Sequence, residues 1–178
     1  MENRTVLNLP AVQTELDLLQ AGQLVYINGI IHTARDQAHM RMIKQLREGE
    51  PLPISLENAA IYYCGPTPKP PGKIVGAIGP TTSSRMDKNT LPLLAQGMKV
   101  MIGKGKRSKE VVEGIKEGKA VYLSAIGGAG ALYSKCIKKF ELAGYEDLMA
   151  EAIYRLEVEN FPAVVAIDTQ GNNIFEEK

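Results

Sequence analysis

The sequence predicts an α/β chain: a central, mostly parallel sheet with a second, partly antiparallel sheet. Two observations carry this. Three times an apolar run of strand length enters a glycine- or hydroxyl-rich loop and then a helix start. Lys73–Ile78 leads into Gly79-Pro80-Thr81-Thr82-Ser83-Ser84, Val100–Ile102 into Gly103-Lys104-Gly105, and Ala120–Ile126 into Gly127-Gly128-Ala129-Gly130. Repeated units of this kind pack as parallel strands whose C-terminal loops gather on one edge. Further strand-like runs near both ends of the chain predict the second sheet. At 178 residues the chain is expected to form one domain, 1–178, with a sizeable core.

Taken in order, Thr5–Leu9 reads as a short strand stopped by Pro10, and Val12–Leu19 as a short helix or turn ending at Gly22. Gln23–His32 is a strong strand interrupted at Asn28-Gly29, which allows either a hairpin turn or a bulge. Thr33 is placed to cap a helix over 34–47, with Ala38, Met42, Ile43 and Leu46 at helical spacing. Gly49 and Pro51 close it. Ala59–Cys64 is a strand, and Pro66–Gly72 a stiff, proline-rich loop. After the strand at 73–78, Ser84 and Asp87 have capping-box spacing, and Thr90 restarts a short helix over 91–96. Ser108 caps a helix reaching Gly118. Ile137–Leu142 reads as a strand and Glu146–Glu151 as a helical turn. Two further strands, Ile153–Val158 and Ala163–Ile167, flank Glu159-Asn160-Phe161-Pro162, and a last one runs through Phe175.

Composition excludes several classes. A net charge of +1 gives no electrostatic case for nucleic acid or a membrane surface. No apolar run approaches the ~18 residues of a transmembrane helix. Met1–Arg4 has no signal-peptide pattern, so the expected location is cytoplasmic. Tryptophan is absent, so the core rests on Val, Ile, Leu, Ala and Met. Cys64 and Cys136 are far apart and belong to no metal-ligand spacing.

Three places carry chemistry on local grounds. In Thr81–Asp87, hydroxyls run into a helix N-terminus, which favours an anion through free N–H groups and the helix dipole. Arg85 adds a planar fork matched to a carboxylate. The same residues also read as a capped turn with a solvated arginine. Arg35 and His39 lie four apart on one helix face, which equally reads as solvent-facing surface. Lys104, Lys106 and Arg107 stand among glycines ahead of a helix start, as an anion site or a solvated basic loop; the P-loop pattern is absent. The Gly127–Leu132 run departs from Gly-x-Gly-x-x-Gly, because Tyr133 stands at the third glycine position. It reads as a tight turn against a partner or ligand rather than a dinucleotide site.

Several separate segments carry a resemblance. Gly79–Asp87 has the form Gly-Pro-Thr-Thr-Ser-x-Arg-Met-Asp. Thr33, Arg35, Asp36, Ala38 and His39 form Thr-x-Arg-Asp-x-Ala-His, and Tyr62, Tyr63, Gly65 and Pro66 form Tyr-Tyr-x-Gly-Pro. Gly103-Lys104-Gly105 follows, and then Glu151, Ala152, Ile153, Val158, Glu159, Phe161, Pro162 and Ala163. Together, from about Leu24 to Phe175, the chain resembles the class I, iron–sulfur fumarate hydratase and L-tartrate dehydratase family. It looks like the separate β subunit of a two-subunit member, equivalent to the C-terminal domain of the single-chain enzymes.

The resemblance implies the swivelling β/β/α architecture. It implies a hydro-lyase active only with a partner α subunit, as a heterotetramer. That partner would carry a 4Fe–4S cluster acting as Lewis acid on the leaving hydroxyl, since two cysteines are too few to hold one. The reaction would be reversible dehydration of (S)-malate to fumarate, with L(+)-tartrate to oxaloacetate as the alternative. Thr81 would be the base and touch the substrate. Arg35, Arg85 and Lys104 would bind substrate carboxylates, Lys104 being singled out from its neighbours. Asp36, His39 and Gly128 would lie behind these groups or at the subunit interface. A non-catalytic anion-binding module stays open as a further reading. A stand-alone hydrolase is disfavoured, because Gly-x-Ser-x-Gly is absent and neither His32 nor His39 lies near a nucleophile motif.

Overall fold

The computed structural model describes residues 5–176; the Met1–Arg4 stretch, read above for a signal-peptide pattern, lies outside them. The strands are β1 (Thr5–Leu9), β2 (Leu24–Thr33), β3 (Ala60–Tyr62), β4 (Val100–Gly103), β5 (Val121–Ser124), β6 (Ile137–Gly144) and β7 (Ile153–Ile167). The helices are α1 (Gln13–Asp17), α2 (Asp36–Glu48), α3 (Asp87–Ala95), α4 (Lys109–Glu117) and α5 (Gly130–Ser134), with 3-10 turns at Ser83–Met86 and Glu146–Glu151. None of these helices is long and apolar enough to cross a membrane.

All seven strands belong to one sheet, in the order β1-β2-β3-β4-β5-β7-β6. Strands β1 to β5 pair parallel in succession, each one's C-terminal end on the same edge. The 15-residue β7 runs antiparallel to β5, β6 and β2. Because β7 pairs with both β5 and β2, the strands β2-β3-β4-β5-β7 close into a five-stranded ring. The α/β expectation therefore holds, but the antiparallel strands extend and close the parallel sheet instead of forming a separate second one. Within the ring every strand has a neighbour on each side, while β1 and β6 each pair with one strand and remain edges.

Alternation along each strand divides the core. Ile61, Tyr63, Met101 and Tyr122 face α2, α3 and α4, packing on Ala38, Met42, Leu93 and Ile115. Their neighbours Tyr62, Ile102, Val121 and Leu123 face the other way, with Ile27, Ile31, Phe161 and Val165. There Tyr62 meets Phe161 edge-on at 5.3 Å, and Tyr133 stacks on Phe161 at 4.3 Å.

Several local expectations change. Asn28-Gly29 is a bulge, not a hairpin: the β2–β7 register shifts between Ile27 and Gly29. Gly29 has φ +108°, and a Cβ there would run into the Leu9 carbonyl oxygen. Thr33 does not cap α2. It ends β2, donates its hydroxyl to Ala152 O (3.3 Å) and accepts from Tyr154 N (3.1 Å), while Arg35 takes the N-cap position. Residues 73–78 form no strand. Thr67 N donates to Ala77 O (3.0 Å) and Ile78 N to Gly130 O (3.2 Å), so the segment is tied to the proline-rich loop and to α5. Ser84 does not cap α3: it lies inside the 3-10 turn that runs into the helix, Met86 takes the N-cap position, the Asp87 carboxylate is engaged by Arg107 and Ser108, and Thr90 lies inside α3 with its hydroxyl on Met86 O. The two late strands are one: Asn160 turns to φ 55° opposite the β2 bulge, and Pro162 pairs with Tyr26 without leaving the sheet. After β7 only a bridge, Ile167 to Asn173, stands where a last strand was expected. The Ser108 cap is present, accepting from Val111 N at 3.3 Å.

Candidate active site

Four parallel strands deliver four loops to one edge. Arg35 and Asp36 follow β2, Tyr63 to Gly65 follow β3, Lys104 to Arg107 follow β4, and Ile126 to Gly128 follow β5. The hydroxyl-rich segment lies across them. Thr81 N donates to Tyr63 O (2.7 Å) and Ser83 N to Lys104 O (2.9 Å), with bridges Cys64–Pro80 and Thr82–Lys104. This close seating requires Gly103, where a Cβ would collide with Ser83 Oγ.

At the open side stands an ion cluster. Arg85 reaches Asp36 with two nitrogens, Nε to Oδ1 at 3.0 Å and Nη2 to Oδ2 at 2.8 Å. Arg35 Nε lies 3.3 Å from Asp36 Oδ2 and 3.1 Å from Glu151 Oε1. Burial alone would raise the Asp36 carboxyl, but its own backbone N–H and the Arg85 and Arg35 guanidiniums outweigh this and hold it below the usual carboxylate range. The Arg85 fork is thus filled by Asp36, leaving Nη1 without a hydrogen bond among the described residues.

Behind the edge lies a buried frame. Arg107, its side chain 0% exposed, sits between the rings of Tyr63 (5.2 Å) and Tyr122 (5.0 Å). Its Nε donates to Asp87 Oδ1 (2.6 Å) and its Nη2 to Thr90 Oγ1 (2.9 Å). The other Asp87 oxygen accepts from Ser108 N (2.6 Å), which ties the start of α3 to the start of α4. His39 is fully buried, not solvent-facing. Its Nδ1 lies 2.9 Å from Arg35 O, so that nitrogen carries the proton, and its ring meets Tyr63 edge-on at 5.4 Å. Burial lowers the His39 imidazole to about 4, keeping it neutral.

The structure therefore brings Arg35, Asp36 and Arg85 into contact and sets Thr81 next to the Lys104 loop. The Thr81 hydroxyl makes no hydrogen bond among the described residues, and Lys104 makes no ion pair among them. The Lys104 chain passes Gly127, with Nζ 3.8 Å from where a Cβ would stand. Gly128 sits at φ +77°, and a Cβ there would meet open space. Sequence reasoning missed Glu151, Tyr122 and Arg107 as parts of the arrangement. The positional signal for Glu151 was its place in the Glu-Ala-Ile segment; Arg107 was indistinguishable from its basic neighbours.

The residues present do not fit a metal cluster held by this chain. Cys64 and Cys136 are free thiols, and burial pushes the Cys64 thiol up to about 12, far from the thiolate a metal needs. No group of three or more His, Cys, Asp or Glu could hold a metal ion among the described residues.

With this geometry in place, known proteins supply a context. Residues 1–178 match the family model described as Fumarase C-terminus. The chain is 40% identical over 171 residues to "Fumarate hydratase 1, mitochondrial" of Leishmania major, covering 95% of this chain and 31% of that protein. It is 37% identical over 178 residues to "Fumarate hydratase class I, aerobic" of Escherichia coli K12, covering 98% and 32%. It is 39% identical over 165 residues to "Putative L(+)-tartrate dehydratase subunit beta" of Methanocaldococcus jannaschii, covering 89% and 85%. The chain thus spans about a third of the fumarate hydratases it matches and most of the tartrate dehydratase subunit. Matched along its whole length, the chain belongs to the Fumarase C-terminus family.

Proposed function

We propose that this chain is the β subunit of a fumarate hydratase, working with an α subunit that carries the 4Fe–4S cluster. Residues 1–178 act as one domain, and the five-stranded ring is its version of the swivelling β/β/α architecture. The observation that carries the reading is the Thr82–Lys104 bridge. It joins the hydroxyl segment to the lysine loop on the edge where Arg35 and Arg85 also stand; Thr81, one residue before the bridge, has a hydroxyl with no hydrogen bond, and Lys104 has no ion pair, among the described residues. A hydroxyl on an edge that also carries three cations suits removal of a proton beside a carboxylate, where negative charge grows in the transition state.

In this reading Arg35 and Arg85 bind substrate carboxylate oxygens, Asp36 holding Arg85 in orientation. Lys104 stabilises the charge formed as the C3 proton leaves. Thr81 accepts that proton. His39 holds the Arg35 backbone from behind, and the Gly127-Gly128 turn faces the partner. The pair assembles as a heterotetramer, and two free thiols suit a reducing compartment such as the cytoplasm.

A second reading, L(+)-tartrate dehydratase β subunit, has its own support: the Methanocaldococcus jannaschii relative is a separate chain of similar extent, 85% covered. Co-expression with the α subunit, reconstitution with iron and sulfide, and assay on malate, fumarate and both tartrates separates the two. Malate–fumarate interconversion by the complex and none by this chain alone is the expected result. Turnover of L(+)-tartrate without turnover of malate selects the second reading. Turnover by this chain alone overturns both.

A further inference from the structure

We infer that Tyr122 is a positioning residue for the reaction, its phenol fixing the hydroxyl segment against the lysine loop; this rests on the functional reading above. Tyr122 lies on β5, fully buried, and does not reach the open edge. Its Oη is 2.8 Å from Ser83 Oγ and 2.8 Å from the Gly105 carbonyl oxygen. A carbonyl only accepts, so the single phenolic proton goes to Gly105 and the Ser83 hydroxyl donates to Oη. One oxygen thus joins the residue two after Thr81 to the residue after Lys104. The Ser83 N–H to Lys104 O bond and the Thr82–Lys104 bridge run beside it.

Two features keep this phenol in place. Arg107 lies across its ring at 5.0 Å and is itself held by Asp87 and Thr90. Burial pushes the Tyr122 hydroxyl up to about 12, so it remains a donor and takes no part as a base. Without it, Ser83 and Gly105 are joined only through the neighbouring backbone, and the separation of Thr81 from Lys104 is free to drift. Misplacement of reacting groups by about 1 Å costs on the order of 100-fold in rate.

The test is Tyr122→Phe, which keeps the ring against Arg107 and removes only the oxygen, with Tyr145→Phe as control. Tyr145 gives its hydroxyl to Gln45, away from the edge, and its loss also removes one hydrogen bond. In the reconstituted complex Tyr122→Phe should lower kcat about 10- to 100-fold with KM within about twofold, and exchange of the substrate C3 proton with solvent should fall in parallel. Tyr145→Phe should leave all three unchanged. On the chain itself, amide hydrogen exchange in Tyr122→Phe should quicken over 81–86 and 103–106 and nowhere else. Wild-type kcat in Tyr122→Phe, or loss of kcat with exchange raised evenly along the chain, would overturn the inference. A wild-type complex inactive on every substrate counts against the functional reading; the local exchange pattern still decides whether Tyr122 joins the two loops.

Discussion

Arg85 and Arg107 each hold an aspartate close to one edge of the sheet, yet their settings are opposite. The Arg85 and Asp36 side chains are 51% and 24% exposed, whereas those of Arg107 and Asp87 are 0% and 12% exposed. An exposed pair is screened by water and contributes little to stability. In the proposed reading Asp36 keeps two nitrogens of Arg85 while Nη1 stays open. A buried pair is fixed, because removing one partner strands a charge out of water. The edge therefore combines an exposed cation in front with a buried one behind, joined through the hydroxyl segment and the start of α3.

The largest effect expected from this contrast is on stability. Arg107→Ala should destabilise the chain by about 3–5 kcal/mol, since Asp87 is left buried without its guanidinium. Arg85→Ala should cost under about 1 kcal/mol in the same urea titration. Equal losses would erase the distinction. Next comes activity: Arg85→Lys keeps the charge and loses the fork, and should cost roughly 2–4 kcal/mol in kcat/KM of the reconstituted complex while stability stays within about 0.5 kcal/mol. Unchanged kcat/KM would remove Arg85 from the substrate's surroundings.

His39 links the two regions, bonding Arg35 O on one side and lying against Tyr63 on the other. Its folded imidazole titrates near 4, below the ordinary 6.5, because it is buried. Between these values the unfolded chain binds the extra proton, so stability is lost as pH falls from about 6.5 towards 4. The loss should reach roughly 2 kcal/mol between pH 7 and pH 5, relative to His39→Gln. Parallel stability curves for the two proteins would show that His39 is not the source.

Much of the scaffold was legible because its signals are local. The apolar runs at 24–33, 100–103 and 121–124, the Ser108 cap and the Gly49 stop each appear within a few residues of where they act. What failed depended on distant partners. Ring closure rests on β2 meeting β7, more than a hundred residues apart, and no local pattern announces it. Residues 73–78 have strand composition, but their hydrogen bonds go to Thr67 and Gly130. Pro162 looks like a strand breaker, yet the bend is taken at Asn160. In the candidate site, residue types and spacing marked Arg35 on a helix's first turn, Arg85 at a helix start and a basic loop at 104–107, from which the resemblance singled out Lys104. Only burial distinguishes Arg107 from Lys104, and burial is set by Tyr63, just past β3, and Tyr122 on β5.

The central claim is that this chain supplies the proton acceptor, and Thr81→Ala in the reconstituted complex tests it most directly. The account predicts intact folding, assembly with the α subunit and KM, with kcat lowered about 10²–10⁴-fold, the usual worth of a positioned general base. Exchange of the substrate C3 proton with deuterated solvent should fall by the same factor, while Thr82→Ala, on the same segment, should leave it intact. Undiminished exchange in Thr81→Ala would contradict the account, and its loss in Thr82→Ala alone would move the base by one residue.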